Sequence, residues 1–249
     1  MQNIHVSTYA DLEALSLAAA RCVIQAAHEA IADHGYFTIA LSGGNTPKAL
    51  YSLLAEEPYT SQIDWSKVEV FWSDERCVPP DSPDSCYRMA YDTLLGKVPL
   101  TEQQIHRVPA EQADRDAASQ AYTDEMRRVF KTEGTPVFDL ILLGMGPEGH
   151  TASLFPHQES LKEQVRLVMP VTVPKPPPPR LTFTPPVLNA AKHVLFLVTG
   201  KDKAEAVQAV LEGEYNPEEY PAQIVQPSNG DVTWLFDTGA ASHLSQKAR

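Results

Sequence analysis

Apolar residues fall along this chain in two alternating rhythms. Phe37–Leu41, Val68–Trp72, 138–143 and 194–199 are short, nearly unbroken apolar runs, the pattern of strands buried on both faces. Between them, apolar positions recur every three or four residues. From 9 to about 33, Leu12, Leu15, Ala19, Cys22, Val23 and Ala26 do so, which predicts one amphipathic helix stopped by Gly35. Further helices are predicted from Pro47, at 85–95, at 110–130 and at 202–211, with a last short strand at 233–236. Pro47 falls in a first turn, where a missing N–H costs little. Strands alternating with helices, and no break in composition, predict a single α/β domain over residues 1–249 with a mostly parallel open sheet flanked by helices.

One stretch interrupts the rhythm. Residues 165–186 are proline-rich, and Pro176-Pro177-Pro178-Pro179 excludes a helix or a central strand. A linker between domains would look similar. Strand-like runs at 167–173 and 181–184 flank the prolines closely, so an ordered crossing loop is the preferred reading.

Composition narrows the class. The 249 residues are 43% hydrophobic and 21% charged, with a formal net charge of −12. An acidic chain is a poor partner for nucleic acid or an anionic membrane, and an anionic ligand would need a few placed cations and backbone N–H groups. Cys22, Cys77 and Cys86 show no CxxC, which fits reduced thiols in a cytoplasmic protein. The first residues carry no secretory pattern, and no apolar run is long enough to span a membrane.

Three of the strand-like runs break into loops rich in glycine and ionisable residues. The first gives Ser42-Gly43-Gly44-Asn45-Thr46-Pro47, the second Ser73-Asp74-Glu75-Arg76, and the third Gly144-Met145-Gly146-Pro147-Glu148-Gly149-His150-Thr151. In a parallel sheet such loops meet beyond the carboxyl ends of the strands and build one site. Adjacent glycines opening a helix suit a phosphate, since backbone N–H groups and the helix N-terminus converge there; a bare turn would need one glycine. Asp74-Glu75-Arg76 could be a surface ion cluster, but it lies just past a buried strand. Arg180 closes the proline stretch. Lys203 starts a helix, where a cation opposes the dipole, so another role is expected of it.

The third loop matches GxGxxG, yet a dinucleotide site is rejected. The match comes late in the chain, and the strand-like run 167–173 ends without the acid a ribose would need. His150 is the residue of interest there. Histidine is the natural general base near neutral pH, whereas His5, His28, His34, His106, His157, His193 and His243 read as ordinary hydrogen-bonding residues. No second ligand sits at metal-binding spacing, so no metal is expected. Glu148 could orient the imidazole or be solvated.

Together these motifs resemble the 6-phosphogluconolactonase family, with Trp72-Ser73-Asp74-Glu75-Arg76-Cys77-Val78-Pro79, Tyr87-Arg88-Met89 and Pro179-Arg180-Leu181-Thr182 in the family's order. The resemblance covers roughly residues 9–236. It implies the sugar-phosphate isomerase/deaminase-like fold, a cytoplasmic lactone hydrolase of the oxidative pentose phosphate pathway, no cofactor, and a sugar-phosphate lactone as the small-molecule partner. Oligomeric state is left open, a monomer being compatible. It further implies water activation by His150 without a covalent intermediate, an oxyanion beside Arg76, sugar hydroxyls at Asp74, and the phosphate on Gly43, Gly44, Asn45 and Thr46 with Arg180 and Lys203. The family usually has aspartate at Glu148, serine at Asn45, asparagine at Cys86 and glycine at His157. The first departure bears on the role of Glu148, since an extra methylene could shift His150 or its water.

Two other readings remain. An amino-sugar phosphate deaminase or isomerase would use Asp74 as its base, but it is expected to carry a further acid after His150, where this chain has Thr151-Ala152-Ser153-Leu154-Phe155-Pro156. A sugar-phosphate-sensing regulator would need a DNA-binding segment, for which the chain has no residues to spare.

Overall fold

The computed structural model describes residues 3–177 and 179–245; Met1, Gln2, Pro178 and residues 246–249 lie outside it. Six parallel strands form the main sheet in the order β1-β9-β8-β5-β2-β3. They are β1 (Asn3–Tyr9), β2 (Phe37–Leu41), β3 (Val68–Trp72), β5 (Leu140–Leu143), β8 (His193–Val198) and β9 (Asp231–Asp237). Every residue of β2 and β5 is buried, which explains why both read as continuous apolar runs. Helices α1 (Leu12–His34), α2 (Asn45–Leu54), α3 (Cys86–Ala90), α4 (Arg115–Phe130), α5 (Pro185–Ala190) and α6 (Ala204–Glu212) accompany the strands. α1 packs on β9, β2 and α2.

Several boundaries differ from the sequence reading. α1 begins at Leu12 rather than 9, because Asp11 caps it by accepting from Ala14 N at 2.9 Å. Residues 3–9 instead form the edge strand β1, paired with β9. α1 ends at Gly35, as expected, with φ +93°. α4 starts at Arg115 rather than 110 because Asp114 supplies its N-cap. Ser85 caps α3, which passes at Tyr91–Leu95 into a π-helical turn.

The proline-rich stretch joins two paired strands. β6 (Val168–Val171) and β7 (Arg180–Phe183) run antiparallel, and β7 also pairs with β4 (Asp74–Arg76), giving a second, three-stranded sheet in the order β4-β7-β6. This small sheet places Asp74 and Arg76 beside Thr182 and Arg180. Among the described residues, no helix is long and apolar enough to cross a membrane.

Candidate active site

The loops after β2, β3, β5 and β8 meet beyond their carboxyl ends around a cleft of about 410 Å³. A roomier depression of about 690 Å³ lies at the other end of β8 and β9, beside Lys192, His193 and Asp231. The chemistry expected from sequence gathers in the smaller one. Gly43, Gly44, Asn45, Thr46, Asp74, Arg76, His150, Arg180 and Lys203 all line it.

The first wall is the glycine loop. The buried Tyr51 hydroxyl accepts from Ser42 N at 3.0 Å and donates to Ser42 O at 2.9 Å, which fixes where the loop leaves β2. Gly44 has φ +115°, a conformation that disfavours a side chain, and it caps α2 without a side-chain hydrogen bond. No acid stands in the first turn of α2, so its N-terminal N–H groups and positive dipole end are left for a ligand. At Gly43 a Cβ would come within 2.6 Å of Cys86 Sγ and 3.4 Å of Arg76 Nη2, so glycine is required where the guanidinium lies against the loop.

The second wall comes from strand alternation. Side chains of successive strand residues point to opposite faces, so Asp74 and Arg76 share the cleft face while Glu75 turns away. Glu75 is buried, and it accepts from Arg76 N, Cys86 N and Tyr87 N at 2.7–2.8 Å and from Ser85 Oγ at 2.9 Å. It is the anchor that ties β4 to the start of α3. Across the ladder, Arg76 pairs with Arg180 and Asp74 with Thr182. Ser153 Oγ donates to Asp74 Oδ2 at 2.6 Å and accepts from Arg180 Nη1 at 3.4 Å; Arg180 Nη1 lies 3.9 Å from the same Asp74 oxygen. Arg76 Nη1 donates to Asp84 O at 2.7 Å. The Nε atoms of both arginines are buried without a hydrogen-bond partner.

The third wall carries His150. A Cβ at Gly146 would fall 2.0 Å from His150 Nδ1, so this glycine makes room for the imidazole. The ring stacks on Phe155 with centroids 4.0 Å apart and planes at 11°. Nδ1 is buried and faces Glu148 Oε1 at 3.4 Å, longer than a well-formed hydrogen bond. Glu148 meets Lys175 Nζ at 2.8 and 3.0 Å through its two oxygens. Burial would raise the Glu148 carboxyl, but the imidazole and the Lys175 ammonium outweigh it and hold it well below the usual carboxylate range. The loop runs on into turns rather than a helix, so its glycines frame the histidine and do not open a dinucleotide site.

Comparison with known proteins settles the family. Residues 10–234 match the model for glucosamine-6-phosphate isomerases/6-phosphogluconolactonase. A 6-phosphogluconolactonase of Synechocystis sp. is 45% identical over 90% of this chain and 91% of its own. The chain belongs to the glucosamine-6-phosphate isomerase/6-phosphogluconolactonase family. Within that family, the solved 6-phosphogluconolactonase of Trypanosoma brucei superposes with a TM-score of 0.89 at 28% identity, covering 98% of this chain and 100% of that one. A monomeric glucosamine-6-phosphate deaminase superposes with a TM-score of 0.81 at 25% identity, covering 96% and 99%.

Several residues of this family member's site escape a reading of the sequence. Glu148 stands behind His150 rather than on the cleft surface. Lys175 lines the cleft and holds Glu148 from 27 positions away, so nothing local announces it. Ser153, fully buried between Asp74 and Arg180, sits in an apolar-looking loop. Lys203 lines the cleft as expected, with Asp202 Oδ2 2.6 Å from its ammonium. Thr46 and Thr199 hydroxyls meet at 2.7 Å across the cleft floor. Other histidines have structural partners: His34 meets Asp139, His193 meets Asp231, and buried His106 bridges Glu69 and Glu125. His157 has φ +62°, in the region that favours glycine. Among the described residues, no group of three or more His, Cys, Asp or Glu could hold a metal ion.

Proposed function

We propose that this chain is a carboxylic ester hydrolase that opens 6-phospho-D-glucono-1,5-lactone to 6-phospho-D-gluconate, as its 6-phosphogluconolactonase relatives are named for doing, in the oxidative pentose phosphate pathway. The observation that carries this reading is that one cleft holds both an anion cradle and a histidine whose Nδ1 is buried against a carboxylate. The uncapped start of α2, with Arg180 and Lys203, receives the phosphate. The lactone ring then lies toward His150.

With Nδ1 turned to Glu148, Nε2 is the atom that takes a proton from water. The water oxygen attacks the lactone carbonyl carbon, and the carbonyl electrons move to oxygen. The Arg76 guanidinium stabilises that oxyanion. As the tetrahedral intermediate collapses, the ring C–O bond breaks and the imidazolium returns its proton to the departing oxygen. No covalent enzyme intermediate is required. Asp74, held by Ser153, accepts hydrogen bonds from sugar hydroxyls. Glu148 stabilises the imidazolium formed during the reaction. The three cysteines are unpaired, in keeping with a reducing compartment such as the cytoplasm.

The deaminase reading is the natural rival, given the superposition with a deaminase. Against it stands Phe155, an aromatic ring under the imidazole in the segment where that reading expects a further acid. The deciding experiment pairs two assays on the purified chain. Proton release from fresh lactone, above its spontaneous hydrolysis, and no ammonia from glucosamine 6-phosphate are expected. Ammonia release without lactone hydrolysis would overturn the assignment.

A further inference from the structure

Lys175 belongs to none of the motifs that announce the site, yet its side chain reaches the carboxylate behind His150. It lies in the loop between β6 and β7, on the rim of the cleft, with Nζ 2.8 Å from Glu148 Oε1 and 3.0 Å from Oε2. The same ammonium stands 5.9 Å from the centre of the Phe155 ring, on which the imidazole stacks at 4.0 Å. Glu148 therefore stands between a fixed cation and the imidazole.

We infer that Lys175 is a positioning residue that acts through Glu148 to keep His150 neutral, and so basic, at lower pH than a bare carboxylate neighbour would allow. This rests on the proposed role of His150 as the base. An unpaired carboxylate 3.4 Å from Nδ1 would favour the imidazolium and raise the pH at which the histidine deprotonates. Lys175 engages both oxygens of that carboxylate and opposes a second positive charge nearby. The other charged groups lining the cleft with the imidazole are Asp74 and Arg76 from β4, Arg180 from β7, and Asp202 and Lys203 from the turn before α6. Asp74 is engaged by Ser153 and Arg180, and Asp202 by Lys203, whereas Glu148 faces the ring itself. A link between the β6–β7 loop and the histidine also gives that loop a catalytic consequence that does not depend on contact between Lys175 and substrate.

The test is the titration of the His150 ring by NMR in the native protein, Lys175→Met and Lys175→Arg, with the resonance assigned by its loss in His150→Asn. Removal of the cation in Lys175→Met is expected to raise the midpoint by roughly one pH unit, and the acid limb of kcat/KM should move up with it. Lys175→Arg, which keeps the charge, should stay near the native midpoint. A Lys175→Met midpoint that is unmoved or lower overturns the inference, even if activity falls, because a merely structural role would lower activity without moving the titration. A raised midpoint with an unmoved rate limb would uphold the linkage and contradict His150 as the base.

Discussion

Arg76 of β4 stands directly opposite Arg180 of β7 in an antiparallel ladder, with both side chains on the cleft face. Like charges directly opposite one another destabilise a sheet. Asp74 and the Asp84 carbonyl relieve part of that repulsion, but each guanidinium keeps a buried Nε without a partner. A phosphorylated ligand bound as proposed would relieve the rest, so the pair is a cost to the fold that such a ligand would offset.

Loss of Arg180 or Lys203, the cations proposed to hold the phosphate, should weaken substrate binding. Arg180→Ala or Lys203→Ala is expected to raise KM for the phosphorylated lactone about tenfold or more, the loss of a charge-assisted contact worth about 1.5–3 kcal/mol. Inorganic phosphate should raise the Tm of the native protein, by mass action on the folded state, and do so much less in Arg180→Ala. An unchanged KM in both variants would remove these residues from the site.

Glu75 should matter to folding rather than to chemistry. Its carboxylate satisfies three backbone N–H groups and one hydroxyl in a buried setting. Glu75→Ala strands those donors and should cost about 3 kcal/mol or more in urea unfolding. A loss below about 1 kcal/mol, the worth of a single ordinary hydrogen bond, would contradict the anchor.

Acid should destabilise α4 through Glu125. Its hydrogen bond to Arg128 lowers the carboxyl to about 2, against burial and with help from His106. A depressed folded value means that the stabilisation is complete above the ordinary carboxylate value of 4.5 and is lost as pH falls toward 2. Tm followed from neutral pH down through that window should fall more steeply for the native protein than for Glu125→Gln. Parallel curves would contradict the linkage.

How much of this is legible without coordinates depends on where each partner lies in sequence. β2 and β3 can be read to the residue, because strands covered on both faces are apolar at nearly every position, Thr38 and Glu69 being the exceptions. β1 escapes notice because an edge strand with Ile4 half exposed carries little pattern. The second sheet escapes because β4 is three residues long and its pairing with β7 spans more than a hundred positions. The same logic divides the site. His150, Asp74, Arg76 and the glycine loop are announced by their place after apolar runs. Lys175, Ser153 and Phe155 are not, since their partners are reached only once the loops have folded onto one another.

The chemistry should need no metal. Among the described residues no group of three or more His, Cys, Asp or Glu could hold a metal ion, and the proposed acid–base work is assigned to the imidazole. Exhaustive chelation is expected to leave the lactonase rate unchanged. Activity lost to chelator and restored by zinc would contradict this account of the site.

Whether His150 is the base is decided by kcat for His150→Asn. General-base catalysis contributes about 10²–10⁴-fold, so kcat on fresh 6-phosphogluconolactone should fall by at least about a hundredfold, with KM little changed and the fold intact by circular dichroism. A folded His150→Asn protein that keeps more than about a tenth of the native kcat would contradict the assignment and move the search for the base to Asp74.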